Sequence, residues 1–192
     1  MTGIVKFLLS GAFCNAFRLL RIIPNNDPIM GCVLPFSKQD KWWYSPLFAF
    51  FTMISFDVIT GMVGPWTIVT SLTYAGLGLL FYKVLRSKNA RKTKVGLKKY
   101  LGCGITGVLI FDVITGVLAG PLMFGMSFEL ALLGQIPFTL LHLASACGFI
   151  VLITPLLDRH LIDSANFDDL FVWMKLKSFG GFILPQRMAG KK

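Results

Sequence analysis

The sequence predicts an all-α membrane protein with about six transmembrane helices, and three observations support this fold class. Of its 192 residues, 55% are hydrophobic and only 15% are charged, whereas a soluble domain usually carries about a quarter charged residues. The 19 lysine and arginine residues far outnumber the 9 acidic residues, and many of them lie between the apolar stretches. A six-residue motif of one apolar stretch recurs in another. An ordinary soluble domain is therefore excluded.

The first predicted elements are a membrane helix at about residues 3–23 and a short second helix at 29–37. Residues 7–17 are apolar but few, so a signal peptide and an amphipathic surface helix compete with the membrane helix. We favour the membrane helix because a single lysine and no small-residue cleavage site make a poor signal peptide. Segment 29–37 follows a proline-bracketed polar turn and is too short to cross a bilayer alone. It indicates a short or re-entrant helix.

Two pairs of longer helices follow. Residues 45–82 contain a single charged residue, Asp57, and hold two spans of about 20 residues. Glycine and proline at 61–65 predict the turn between these two spans. Residues 100–157 repeat the plan, with a second break predicted at 119–127. The recurrent glycines fit close packing between membrane helices.

An internal repeat relates the two pairs of helices. The sequence Phe-Asp-Val-Ile-Thr-Gly occupies residues 56–61 and returns unchanged at 111–116, and a Gly-Pro pair follows each copy. One helix lies between the repeated ones, so both copies point the same way and form a parallel hairpin repeat. We therefore expect Asp57 and Asp112 at one depth, one or two turns below the outer surface.

The basic residues predict the orientation of the helices. The linker 83–99 carries eight positive charges and no acidic residue, and the loop 37–41 and the C-terminal region add more. The turns at 61–65 and 119–127 carry none. With six spans, all basic regions lie on one side, which the positive-inside rule assigns to the cytoplasm. The sequence thus predicts a multi-pass cell-membrane protein with both termini cytoplasmic, whose charges contact anionic lipid rather than nucleic acid.

Two regions are expected along the chain. Residues 1–160 form the six-helix membrane domain, and residues 161–192 form a basic cytoplasmic tail. An apolar stripe beside lysines in this tail suits an amphipathic surface helix, and a disordered tail is an equal alternative.

Polar residues of the outer halves form the candidate site. A carboxylate inside a membrane is costly unless it is paired or hydrated, so Asp57 and Asp112 either tie helices together or line an outward-facing cavity. Arg18 and Arg21 share one face of the first helix and reach the same outer depth, where an Arg–Asp cluster is expected. The predicted substrate-binding residues are Arg18, Arg21, Asn25, Asn26, Asp27, Asp57, Trp66, Asp112, Glu129 and Gln135.

Signatures of catalysis and of metal binding are absent from the sequence. It contains no HExxH, GxSxG, Walker A or GxGxxG motif, and its aspartates lack the YD and GxGD contexts of intramembrane proteases. Its four cysteines form no CxxC pair and are expected to be buried free thiols. His142 is expected to be a hydrogen-bond partner between helices. The chain is thus predicted to be no enzyme and to carry no metal or cofactor.

Local segments resemble the substrate-binding S component of an energy-coupling factor (ECF) transporter. They are the small-residue pattern from Ala12 to Ala16, the segment 18–31 with its arginine and Pro/Asn-rich turn, and the segment 46–61. The resemblance implies high-affinity binding of a vitamin or similar micronutrient from outside. It also implies that Ala12 and Ala16 dock on a transmembrane coupling subunit, and that two cytoplasmic ATPases drive transport.

Three rival functions remain open at the level of the sequence. A structural or assembly protein would satisfy both aspartates through neighbouring helices and leave no cavity. A self-contained transporter or channel would need a polar path to the cytoplasm, yet the inner halves of the spans are apolar or small. A membrane enzyme is disfavoured by the missing motifs.

Overall fold

The computed structural model describes residues 3–21, 25–38, 41–86 and 95–158, and these residues form helices and turns with no strand. Seven α-helices lie within these ranges: α1 (Gly3–Leu20), α2 (Ile29–Ser37), α3 (Tyr44–Thr60), α4 (Pro65–Leu85), α5 (Leu97–Asp112), α6 (Gly120–Phe124) and α7 (Phe128–Leu157). A π-helical segment, Val113–Ala119, joins α5 to α6 without interruption. The all-α prediction is confirmed, whereas the predicted tail 161–192 lies outside the described residues.

Three of these helical stretches have the length and composition of membrane spans: Pro65–Leu85, Leu97–Phe124 and Phe128–Leu157. Helix α3 is apolar too but has 17 residues. Large apolar side chains, among them Ile68, Leu122 and Leu133, are exposed on the outside of the bundle. A soluble protein rarely exposes so much contiguous apolar surface, so these helices indicate a membrane-associated protein.

Helix α2 fills the middle of the bundle. All nine of its residues are buried, and it packs against α3, α4, α5 and α7. The predicted short second helix is thus present, and neighbouring helices cover its side chains. A helix that is apolar all round belongs in such a fully covered position.

Two glycines bring neighbouring backbones close to each other, as the glycine-rich sequence led us to expect. A Cβ atom added to Gly31 in α2 would lie 2.8 Å from the carbonyl oxygen of Phe149 in α7. A Cβ atom added to Gly78 in α4 would lie 2.9 Å from the backbone nitrogen of Pro46 in α3. Each contact has room for a hydrogen atom and for nothing larger, which is typical of membrane helix packing.

The first predicted break is confirmed. Helix α3 ends at Thr60, and Gly61 caps it with a φ of 70°, a left-handed conformation that glycine adopts at little cost. Helix α4 then starts with Pro65, whose missing N–H would have no partner in the first turn anyway. The tight turn sets α3 and α4 side by side.

The second predicted break, 119–127, is confirmed only for its last three residues, 125–127. The chain stays helical through 119–121 and turns only after Phe124, where Gly125 has a φ of 66°. Pro121 is the second residue of α6, directly after the π-helical segment, and the chain stays helical there, so Gly-Pro does not stop the helix here. The preceding segment is π-helical, and its wider turns accommodate the Gly-Pro pair within the helix.

The two copies of the repeated motif keep one local contact and then diverge. The hydroxyl of Thr60 donates to the carbonyl oxygen of Phe56 at 2.9 Å, and that of Thr115 donates to Phe111 at 2.8 Å. The first copy ends its helix at once, whereas the second continues through the π-helical segment. Asp57 and Asp112 therefore occupy different surroundings despite identical neighbours in sequence.

The bundle has two ends of different character. At one, which we call the cavity end, α1 finishes, α2 begins and α3 turns into α4. At the other, the basic end, the buried ammonium of Lys38 lies 2.8 Å from Asp158, which also accepts a 2.8 Å hydrogen bond from Tyr100. These contacts join the end of α2, the start of α5 and the end of α7.

Candidate functional site

The site is built around Asp27, which lies in the turn before α2 and is 5% exposed. Its Oδ2 accepts a 2.6 Å hydrogen bond from Tyr74 and lies 3.1 Å from Nε2 of His142. Its Oδ1 accepts from the backbone nitrogen of Ile29, and its own backbone N–H donates to Ser145. Burial opposes ionisation of this carboxyl, but the hydrogen bonds from His142 and Tyr74 hold its pKa below the usual value.

His142 extends this network to α5. Its Nδ1 lies 2.8 Å from Oδ1 of Asp112, so both ring nitrogens face carboxylate oxygens. An imidazole with two such acceptors is best matched when both nitrogens carry hydrogen. The other carboxylate oxygen of Asp112 is buried and has no hydrogen-bond partner among the described residues. The expected role of His142 as a link between helices is confirmed.

Arg18 lies near this network but pairs with none of its carboxylates. Its guanidinium donates to the sulfur of Met53 at 2.9 Å and lies 4.0 Å from the ring centroid of Phe56. None of the ion pairs found within residues 3–21, 25–38, 41–86 and 95–158 includes Arg18 or Arg21. The expected cluster of these arginines with Asp57 and Asp112 is therefore not formed there, because Asp57 is bound by Thr67 and Asp112 by His142.

A polar cavity of about 370 Å³ opens beside Asp27. The amides of the turn are fixed around it, because Asn25 donates to the carbonyl oxygen of Phe138 and Asn26 donates to that of Phe17. Arg21 and Asn25 both have positive φ, 48° and 57°, which is uncommon for residues other than glycine. The cavity walls are Arg18, Arg21, Asn25, Asn26, Asp27, Met53, Phe56, Tyr74, Phe111, Phe138 and His142.

A second, larger cavity of about 580 Å³ lies next to the polar one, and we call it the aromatic cavity. Its ring-bearing walls are Trp66, Phe111, Phe124 and Phe138, and the rings of Trp66 and Phe124 lie 5.7 Å apart. Gly116 and Gln135 meet in its wall, where the amide of Gln135 occupies the space that a Cβ atom at Gly116 would need. Arg18, Met53, Phe111 and Phe138 border both cavities, which therefore adjoin.

Most of the predicted site residues line one of the two cavities. Arg18, Arg21, Asn25, Asn26 and Asp27 surround the polar cavity, and Asp57, Trp66 and Gln135 surround the aromatic one. Two predicted residues do not. Asp112 is 2% exposed and lies behind the wall, and Glu129 is exposed in the first turn of α7 outside both linings.

The carboxylate of Asp57 has a local structural partner. Its Oδ2 accepts a 2.6 Å hydrogen bond from Thr67 in the first turn of α4. The same hydroxyl accepts from the backbone nitrogen of Gly64, so Thr67 and Asp57 together fix the α3–α4 turn. Of the two alternatives for the aspartates, this geometry favours the helix tie for both, with Thr67 serving Asp57 and His142 serving Asp112.

Several residues that line the cavities are not among the site residues predicted from the sequence. Phe56 and Phe111 are the residues that open the two copies of the repeat, so the repeat itself was a usable signal. Tyr74 offered another, since a tyrosine in the middle of a membrane helix needs a hydrogen-bond partner. Met53 and Phe138 are ordinary apolar residues, and no signal in the sequence marks them as part of the site.

The two predicted docking residues lie on the surface of α1. Ala12 and Ala16 are both exposed and lie one turn apart on α1.

Within the part of the chain that the structure describes, no group of three or more histidine, cysteine or acidic residues is placed to hold a metal ion. The four cysteines are free, with Cys14 and Cys32 buried in the core.

Comparisons with known proteins found no relative: no family model, no curated protein and no solved structure matches this chain.

Proposed function

We infer that this chain is the membrane-embedded binding subunit, or S component, of an ECF-type importer for a small organic micronutrient. One observation carries the proposal: two adjoining cavities of about 370 and 580 Å³ lie at one end of a small helical bundle whose middle is filled by α2. Such cavities suit a ligand of vitamin size. Because buried residues of α2 fill the middle of the bundle, the architecture suits a binding protein that needs a partner to complete transport.

The proposed topology has six membrane helices with the cavity end outside. These are α1, the short α2, α3, α4, α5 with its continuation to Phe124, and α7. The basic end carries Lys41, Lys83, Arg86, Lys98 and Lys99, and it faces the cytoplasm by the positive-inside rule. Both termini then lie inside, and the hairpins α3–α4 and α5–α7 are the two units of the parallel repeat.

In this proposal the protein captures its ligand from outside and passes it on through a partner. The exposed small-residue face of α1 at Ala12 and Ala16 docks on the coupling subunit, and two cytoplasmic ATPases supply the energy. Small residues let a partner helix approach closely in a bilayer. Toppling of the subunit would then bring the cavity end towards the cytoplasmic side.

Two rivals fit the structure less well. A purely structural membrane protein accounts for the tied aspartates Asp57 and Asp112, but it gives no reason for two cavities with an unpaired arginine between them. A self-contained channel needs a polar path along the bundle, and the buried apolar residues of α2 lie in its way.

Affinity purification of the full chain from the membranes of the cells that make it tests the proposal. Wild-type protein is expected to recover a multi-pass membrane protein and two ATPases, identified by mass spectrometry. Replacing Ala12 and Ala16 together by leucine should reduce this recovery at least tenfold, because the larger side chains hold the partner helix away. Ala144→Leu, on the exposed surface of α7, is the matched control and should leave recovery unchanged. Recovery without any ATPase would contradict the proposal.

A further inference from the structure

The guanidinium of Arg18 is an unpaired positive charge at the junction of the two cavities. It is half-buried, it borders both cavities, and its described contacts are a sulfur atom and an aromatic ring rather than a carboxylate. Neither contact neutralises the charge. A partly desolvated arginine that makes no direct salt bridge within the described residues is a strong binding site for an anion, since its planar fork matches carboxylate and phosphate groups.

The nearby carboxylates are already occupied by donors of the protein itself. Asp27 receives hydrogen bonds from Tyr74 and Ile29 and faces His142, and Asp57 receives one from Thr67. The unpartnered oxygen of Asp112 lies behind the wall and borders neither cavity. Asp57 keeps its charge at the aromatic cavity, whereas the positive charges that border a cavity without a described ion pair are those of Arg18 and Arg21.

The aromatic cavity offers a different surface on the other side of Arg18. Rings of Trp66, Phe111, Phe124 and Phe138 line about 580 Å³, and the amide of Gln135 packs against Gly116 in the wall. Aromatic walls favour a flat apolar group, which stacks on them or meets their edges. A ligand that bridges the two cavities thus meets a cation at one end and rings at the other.

We propose that the ligand is an organic anion with a flat apolar body, whose anionic group binds Arg18 while the body lies in the aromatic cavity. This inference rests on the proposed function only in taking ligand binding as the task of the site. It adds the chemical class of the ligand, which neither the sequence nor the fold specifies. A cationic or neutral ligand of the same shape would leave the arginine without a direct ion pair.

Three probes of one shape and different charge test the inference on the full chain. They are 2-naphthoate, 2-naphthalenemethanol and 2-naphthylmethylammonium, titrated by calorimetry into nanodiscs of neutral phosphatidylcholine, with empty nanodiscs as the blank. We expect naphthoate to bind roughly tenfold to a hundredfold more tightly than the other two probes, which is the range of a hydrogen bond to a charged group.

Two arginine variants separate this contact from a general effect of charge. Arg18→Met should remove the preference for naphthoate and leave the binding of the neutral alcohol, which also shows that the variant is folded. Arg18→Lys should restore part of the preference. Arg86→Met is the matched control, because Arg86 stacks on Tyr82 at the basic end and should not affect any probe.

The same anionic chemistry has a second source, the headgroup of an anionic lipid, and a further titration separates the two. Nanodiscs with phosphatidylglycerol should bind naphthoate as tightly as neutral ones if the ligand is a free anion. Competition by phosphatidylglycerol would instead assign the site to the lipid and overturn the inference.

Other results overturn the inference without touching the proposed function. Equal affinities for the three probes, a preference for the ammonium probe, no saturable binding of naphthoate, or an unchanged preference in Arg18→Met would each do so. Partner recovery in the affinity purification is measured independently of any probe. A chain that recovers its ATPases but prefers a cation remains an S component with a ligand of another class.

Discussion

At the scale of single residues, His142 is the link on which two buried carboxylates depend. Its ring lies 2.8 Å from Asp112 and 3.1 Å from Asp27. Replacing it by leucine leaves Asp112 without a partner in a buried position, which costs about 3 kcal/mol. We expect His142→Leu to lower the thermal unfolding midpoint in detergent by several degrees. Cys147→Ala, a half-buried apolar truncation on the same helix, should lower it much less.

A second variant separates the charge from the hydrogen bond. Asp112→Asn keeps an oxygen that accepts from the ring of His142, and it removes the buried charge. We expect the thermal unfolding midpoint of Asp112→Asn to lie closer to that of the wild type than the midpoint of His142→Leu does. If His142→Leu unfolds at the wild-type temperature, the network contributes nothing to stability, and the carboxylates must find other partners.

The sequence could predict the polar residues of the site but not their pairing. Arg18 and the turn 25–27 stand out because polar groups are costly near the end of a membrane helix. The partner of Asp27 is 115 residues away in α7, and nothing local distinguishes His142 from Arg18 as that partner. Pairing depends on which helices are neighbours, and that is a property of the packed bundle.

At the scale of elements, the position of α2 depends on close contact with α7. Adding a Cβ atom at Gly31 places it 2.8 Å from the carbonyl oxygen of Phe149, so the two helices must move apart. We expect Gly31→Ala to destabilise the protein by about 1–3 kcal/mol, as overpacking does in a tight core. Thermal unfolding in detergent measures the loss.

The matched control for this substitution is Gly102→Ala in α5. A Cβ atom there meets nothing within 4 Å, and alanine favours a helix over glycine, so stability should be unchanged or slightly higher. If both variants are as stable as the wild type, α2 does not pack against α7 as tightly as the structure requires.

The elements themselves were largely predictable, because each long apolar stretch has the length of a span. The short helix 29–37 and the turn at 61–65 follow from proline and glycine positions. The second turn, 125–127, starts later than the predicted break 119–127, because Gly120 and Pro121 have the composition of a break but remain helical. Whether a proline starts a helix or stops one depends on the chain before it, and a π-helical segment is not visible in the sequence.

At the scale of the whole molecule, the proposed uptake requires the cavity end to face outside. Val63 is exposed at that end, in the α3–α4 turn, and Arg86 is exposed at the basic end. In a full-length background with Cys103 and Cys147 replaced by alanine, Val63→Cys should react with a membrane-impermeant maleimide on intact cells. Arg86→Cys should react only after the membrane is permeabilised, because the proposed topology assigns the basic end to the cytoplasm by the positive-inside rule. The reverse pattern would open both cavities to the cytoplasm and leave an importer with no site for its external ligand.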